Sequence, residues 1–159
     1  MGNTFGAGGD TLYLSNGGTA VFVDVLTLAV SALADGPCDH RFAALVAMQD
    51  QSMMGHGAVG FDLADLDWGA TSEERAAAKA FVLNVLDLAA RRHRWEELDY
   101  EPPFAEGYVR RFREIVAAFD PADADPDDAL PDTPLMACCV RHRVLSGLPY
   151  WEGCVFCHQ

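Results

Sequence analysis

Between Thr19 and Ala34 apolar residues recur at helical spacing. Val21, Val25, Leu28 and Ala32 line one face, and Phe22, Leu26, Ala29 and Leu33 fill the stripe beside it. The run predicts a buried helix that Thr19 would cap. A second reading competes at its start, because Asn16-Gly17-Gly18 lies between the β-prone pieces Thr11–Leu14 and Thr19–Val25. An Asn-Gly pair in that setting signals a hairpin turn. The length of the apolar run and its alanine-rich end favour the helix, leaving a minor β element in the glycine-rich residues 1–18.

Three further helices follow from the same periodicity. Gly36-Pro37 makes a break, after which Phe42, Leu45, Val46 and Gln49 predict a helix from about Asp39 to Met54. Residues 55–70 read as irregular, with glycines at 55, 57, 60 and 69. Thr71 and Glu74 have the spacing of a capping box, which satisfies two backbone donors at a helix start. Ala78, Phe81, Val85 and Leu88 then recur down the helix, flanked by Val82, Leu86 and Ala89. Arg91, Arg92 and Arg94 are placed in its last turn, where cations suit the negative end of the dipole. Pro102-Pro103 interrupts, and Tyr108, Phe112, Ile115 and Phe119 mark a fourth helix over about 105–119.

Residues 120–134 hold six aspartates and four prolines, so they read as an extended acidic linker. The expected organisation is a helical body over 1–119, that linker, and a small tail over 135–159 docked on the body. In fold class the chain is mainly α: a four-helix-type globular body, the minor N-terminal β element, and a zinc-knuckle (zinc-ribbon-like) C-terminal tail.

The tail carries the clearest chemistry. Four of the five cysteines fall within residues 138–157, an arrangement poorly suited to a disulfide framework. Cys139 and His142, then Cys154 and Cys157, spell C-x2-H-x11-C-x2-C. A two-residue gap lets two ligands on one tight turn point at a common ion, and two such knuckles complete a tetrahedron. Three thiolates and one imidazole suit structural zinc, and four protein ligands leave no open position for a catalytic water. Ser146-Gly147 and Pro149 supply the reversal between knuckles, with Cys138 and His158 as alternative ligands beside the main set. Cys154–His158 also spells C-x-x-C-H, but haem attachment follows export, and no basic, apolar leader precedes Arg41, the first cation. The chain is therefore expected in the cytoplasm, with reduced thiols. Its apolar run is too short, and too interrupted by Asp24, to predict a membrane span. Heavy use of Arg over Lys, with abundant Ala, Asp and Gly, suggests a bacterial gene.

Eleven basic residues against 24 acidic ones give a formal charge of −13. Such a field repels nucleic acid and anionic lipid and attracts a basic partner. Other patterns are weaker. Gly55–Gly60 matches G-x-G-x-x-G, but a helix is expected before it where a dinucleotide loop wants a strand. Met48, Met53 and Met54 near His56 read as core filler, and His40 and His93 as lone side chains. Asp62, Asp65 and Asp67 lack calcium-loop spacing. Asp24 inside an apolar helix must be hydrogen-bonded or shift its pKa; capping or pairing with an arginine is the simpler account, and a functional acid the alternative. The arginines at 91, 92 and 94 and at 110, 111 and 113 would form one face if their helices pack antiparallel, with the linker aspartates as their expected partners.

No catalytic cluster emerges, so the expected function is non-enzymatic. It is an acidic, zinc-stabilised protein-binding module, in one concrete form an immunity-type neutraliser of a basic toxin or nuclease. A nucleic-acid-binding or regulatory zinc protein using Arg141 and Arg143 is the first alternative. An enzyme with a pocket near Asp24, His56 and Trp68 is the second.

Overall fold

A computed structural model describes residues 3–49, 59–126, 137–138 and 144–146, with only the backbone described at 137–138 and 145–146. Among these residues the chain is mainly helical, with four α-helices and a small N-terminal sheet. Strand β1 (Asn3–Ala7) turns through Gly8-Gly9 into antiparallel β2 (Asp10–Leu14). Gly8 has φ of +60°, a conformation that a two-residue hairpin turn requires and glycine adopts freely.

Helix α1 (Asn16–Leu33) begins three residues before the predicted start. Asn16-Gly17-Gly18 is its first turn, and Ser15 is the cap, accepting from the Gly18 amide at 3.0 Å. Thr19 is instead buried inside the helix, where its hydroxyl donates to the Ser15 carbonyl. By length and composition α1 could cross a membrane, but here nine of its residues are buried in the fold. Helix α2 (Pro37–Ala47) starts on Pro37, a favoured first position because that amide would have no helical partner. It ends at Ala47 with Met48 as its C-cap, short of the predicted Met54, and residues 50–54 lie outside the described residues.

The segment read as irregular holds a third strand. Strand β3 (Gly60–Asp62) pairs parallel with β1, giving the order β2-β1-β3. Gly60 has φ of +131°, and a Cβ there would stand 2.0 Å from the Thr4 carbonyl oxygen, so close strand approach requires glycine. A 3-10 turn at Leu63–Asp65 follows, capped by the Asp62 carboxylate on the Ala64 amide. Two buried amides fasten this corner. Asn3 donates to Thr19 at 2.7 Å and accepts from the Val59 amide. Gln49 donates to the Leu45 carbonyl and accepts from the Gly60 amide at 2.8 Å.

Helix α3 (Ser72–Ala90) has the predicted cap at Thr71, which accepts from the Glu74 amide. Glu74 closes back on Ala70, not on Thr71, at 2.8 Å. Arg91, Arg92 and Arg94 lie beyond the last turn, in the connection to helix α4 (Ala105–Ala118). Edge-to-face contacts among Phe5, Phe22, Phe61 and Phe112, at 5.1–6.5 Å between centroids, join α1 and α4 to the sheet, within a core to which all four helices contribute. Such rings add specific quadrupole attraction to a large apolar area. The start of the acidic segment is also docked. Pro121 is buried in a 3-10 turn at Pro121–Asp123, and the Asp125 amide donates to the Ala64 carbonyl at 2.7 Å. Residues 127–134 of the expected linker lie outside the described residues.

Candidate functional site

Three regions bear on function: the tail, the charged surface, and the connection between α3 and α4. In the tail, strand β4 (Ala137–Cys138) pairs antiparallel with β5 (Leu145–Ser146), in register Cys138 with Leu145. Val144 is fully buried against Leu28 of α1 and Leu98, with Tyr100 packed on the same cluster. Cys139, His142, Cys154 and Cys157, and the alternative ligand His158, lie outside the described residues. No group of three or more metal-ligating side chains occurs among the described ones. Cys38, the remaining thiol, is free and exposed on α2.

Asp24 projects from α1, and the Tyr100 hydroxyl donates to its carboxylate at 2.6 Å. Partial burial and the adjoining Asp24 charge both oppose ionisation of Tyr100, so its pKa is raised well above the ordinary 10.0. The bond thus supplies the hydrogen-bonding partner that a carboxylate in an apolar helix needs, from a tyrosine where an arginine was expected. Tyr100 touches the cluster that holds Val144, which places this pair at the seam between body and tail. The other residues of the alternative pocket are engaged elsewhere or not described. Trp68 is buried, donates to the Leu63 carbonyl at 2.8 Å and packs on Phe119. His56 lies outside the described residues.

Helices α3 and α4 are antiparallel, as three cross-contacts in reversed order show. Lys79 reaches the carbonyls of Ala117 and Phe119, Asp87 holds Arg113 at 2.6 Å, and Arg92 pairs with Glu106. The arginines nevertheless do not form a free basic face. Arg94 pairs with Glu97, and Arg111 with Asp10 and Glu114. Arg41 meets Asp67, Arg75 the carbonyls of Gly69 and Ala70, and Arg91 the Asp87 carbonyl. Among the described residues, Arg110 is the cation left uncommitted. The partners among the described residues are local carboxylates and carbonyls, and none is Asp120, Asp123 or Asp125; the other aspartates of the expected linker lie outside the described residues.

The acids show the opposite pattern. The turn at Leu63–Asp65 packs on the turn at Pro121–Asp123, which also packs on α3. On these adjoining elements Asp65, Glu73 and Asp123, with Asp125 just past the second turn, are exposed and form no ion pair among the described residues. An acidic edge results.

Among the described residues, the connection between α3 and α4, residues 91–104, holds the positive-φ non-glycine residues: Arg92, Arg94 and Phe104, at +61°, +62° and +60°. Each such backbone costs about 1–2 kcal/mol relative to the right-handed region. Beside them opens a cleft of about 810 Å³ lined by Trp95, Glu101, Pro102, Phe104, Tyr108 and Arg110, among others. Phe104 is 79% exposed there, an unusual position for a phenyl ring, and Tyr108 stands 6.5 Å from it. Trp95 is only 8% exposed, carries the Arg92 guanidinium over its ring at 5.6 Å, and has no acceptor for its indole N–H among the described residues. The sequence signal for this site was the aromatic and proline content of 95–108, which the helical periodicity absorbed or passed over.

Comparison of the chain with protein-family models, curated proteins and solved structures gives no match.

Proposed function

We propose that this chain is an acidic, zinc-stabilised protein-binding module whose partner is a basic protein, and that neutralising a basic toxin or nuclease is its concrete form. The observation that carries this reading is the asymmetry of charge commitment. Apart from Arg110, the cations on the described surface are tied to carboxylates and carbonyls within the chain, whereas Asp65, Glu73, Asp123 and Asp125 form no ion pair among the described residues. A nucleic-acid-binding surface needs the reverse arrangement. Unpaired surface carboxylates steer a basic partner into encounter and mainly raise the association rate.

In this reading Cys139, His142, Cys154 and Cys157 hold the zinc. The ion supplies no reaction and closes the tail into a rigid unit. Val144, buried on Leu28 and Leu98, anchors that unit to the body.

The test is kinetic. The native partner, recovered by affinity capture from the host, should associate more slowly as salt is raised. The triple change Asp65→Asn, Asp123→Asn and Asp125→Asn should slow association further without lowering the melting temperature. An association rate indifferent to salt overturns the proposal.

A further inference from the structure

The surface around Phe104 is unlike the rest of the described exterior in two ways. Phe104 holds a left-handed backbone as the cap residue of α4, yet its ring is exposed and packs no core. Glycine would take that conformation freely, so a phenyl ring open to water there has no reason within the monomer. The charges beside it are balanced, in a chain of net charge −13. Arg92 and Glu106 are paired with each other, which leaves Arg110 and Glu101 on the same cleft, both exposed and without an ion pair among the described residues.

An occupant must therefore match an open cation, an open carboxylate and a ring at once. A ligand of a single charge sign meets its own sign in the cleft. A second copy of the chain matches all three through symmetry: across a two-fold axis, Arg110 of each copy faces Glu101 of the other, and the same surface serves both sides. We propose that the chain forms a two-fold dimer through this cleft, with Phe104 of each copy seated in the cleft of the other beside reciprocal Arg110–Glu101 pairs. The ring then leaves water, and the contact falls where the lining adds nothing to the repulsion between two acidic molecules. One anchoring ring and two rim ion pairs are modest contributions, so dissociation is expected at about 10–100 µM.

The dimer surface is separate from the acidic edge. Glu73 lies at the start of α3 and Phe104 at the start of antiparallel α4, so the two surfaces stand about 25 Å apart along the helix pair. A basic partner and a second copy can be held together.

Sedimentation equilibrium of the intact protein across that concentration range should show monomer and dimer, in reductant that excludes a disulfide through exposed Cys38. Phe104→Gly should weaken the dimer about tenfold without lowering the melting temperature of the dilute protein, since glycine suits that backbone. Arg110→Glu and Glu101→Arg should each weaken it about three- to tenfold. Glu101→Arg also makes the chain less acidic, a change that would tighten a contact limited by diffuse repulsion alone. Combining the two reversals should restore the dimer to within about threefold, because the exchanged charges meet again across the axis. A protein that stays monomeric throughout, a dimer untouched by Phe104→Gly, or a double variant no tighter than either single one overturns the proposal.

Discussion

Asp24 and Tyr100 show how a carboxylate is accommodated in an apolar helix. The hydroxyl donates a charge-assisted bond to the carboxylate, and that charge in turn holds the phenol protonated. Because the folded pKa of Tyr100 is raised above its unfolded value, the folded state retains a proton that the unfolded chain gives up in alkali. The contribution of the pair is thus whole below pH 10 and is lost progressively as pH rises above it. Tyr100→Phe should lower stability by about 1–2 kcal/mol at neutral pH. It should also flatten the decline in melting temperature above pH 10, which calorimetry across alkaline pH would check. A melting temperature falling as steeply in the variant would contradict the assignment. From sequence, the need of Asp24 for a partner was legible, but Tyr100 was not, since it lies 76 positions away and only the fold joins them.

At the level of elements, periodicity located helices well and strands poorly. Three- and four-residue spacing is local, so α1, α2, α3 and α4 were each visible from one stretch of chain. The sheet is not local: β3 has three residues, no alternation of its own, and gains strand geometry only by pairing with β1. Helix α1 was misplaced at its start because Ser15, Asn16 and Thr19 are all competent caps, and only the fold distinguishes them. There Thr19 is drawn inside by Asn3. Two changes test these local arguments. Ser15→Ala should cost about 1 kcal/mol in urea unfolding. Gly60→Ala should cost at least about 3 kcal/mol, because a methyl group would be forced onto the Thr4 carbonyl at a positive φ. A near-neutral result for Gly60→Ala would contradict the close strand approach.

For the whole molecule, the ligand spacing in the tail was legible as chemistry, and its four positions lie outside the described residues. The seam that receives it is described: Val144 fills a site between Leu28 and Leu98. Elemental analysis should find one zinc per chain, and Cys154→Ser should abolish it. Leu28→Ala should lower stability by about 2–4 kcal/mol and leave tail residues easier to cleave in limited proteolysis. The charge of −13 was read correctly as a sum, but its distribution was not legible, because which arginine meets which carboxylate depends on how α3 and α4 cross. The order β2-β1-β3 has a further consequence for biosynthesis. The middle strand is made first, and one of its edges stays bare until Gly60–Asp62 has left the ribosome some fifty residues later. An unsatisfied strand edge invites pairing with another nascent chain. Slower translation between α1 and β3 should therefore lower the soluble yield of this protein, even though the finished molecule is unchanged.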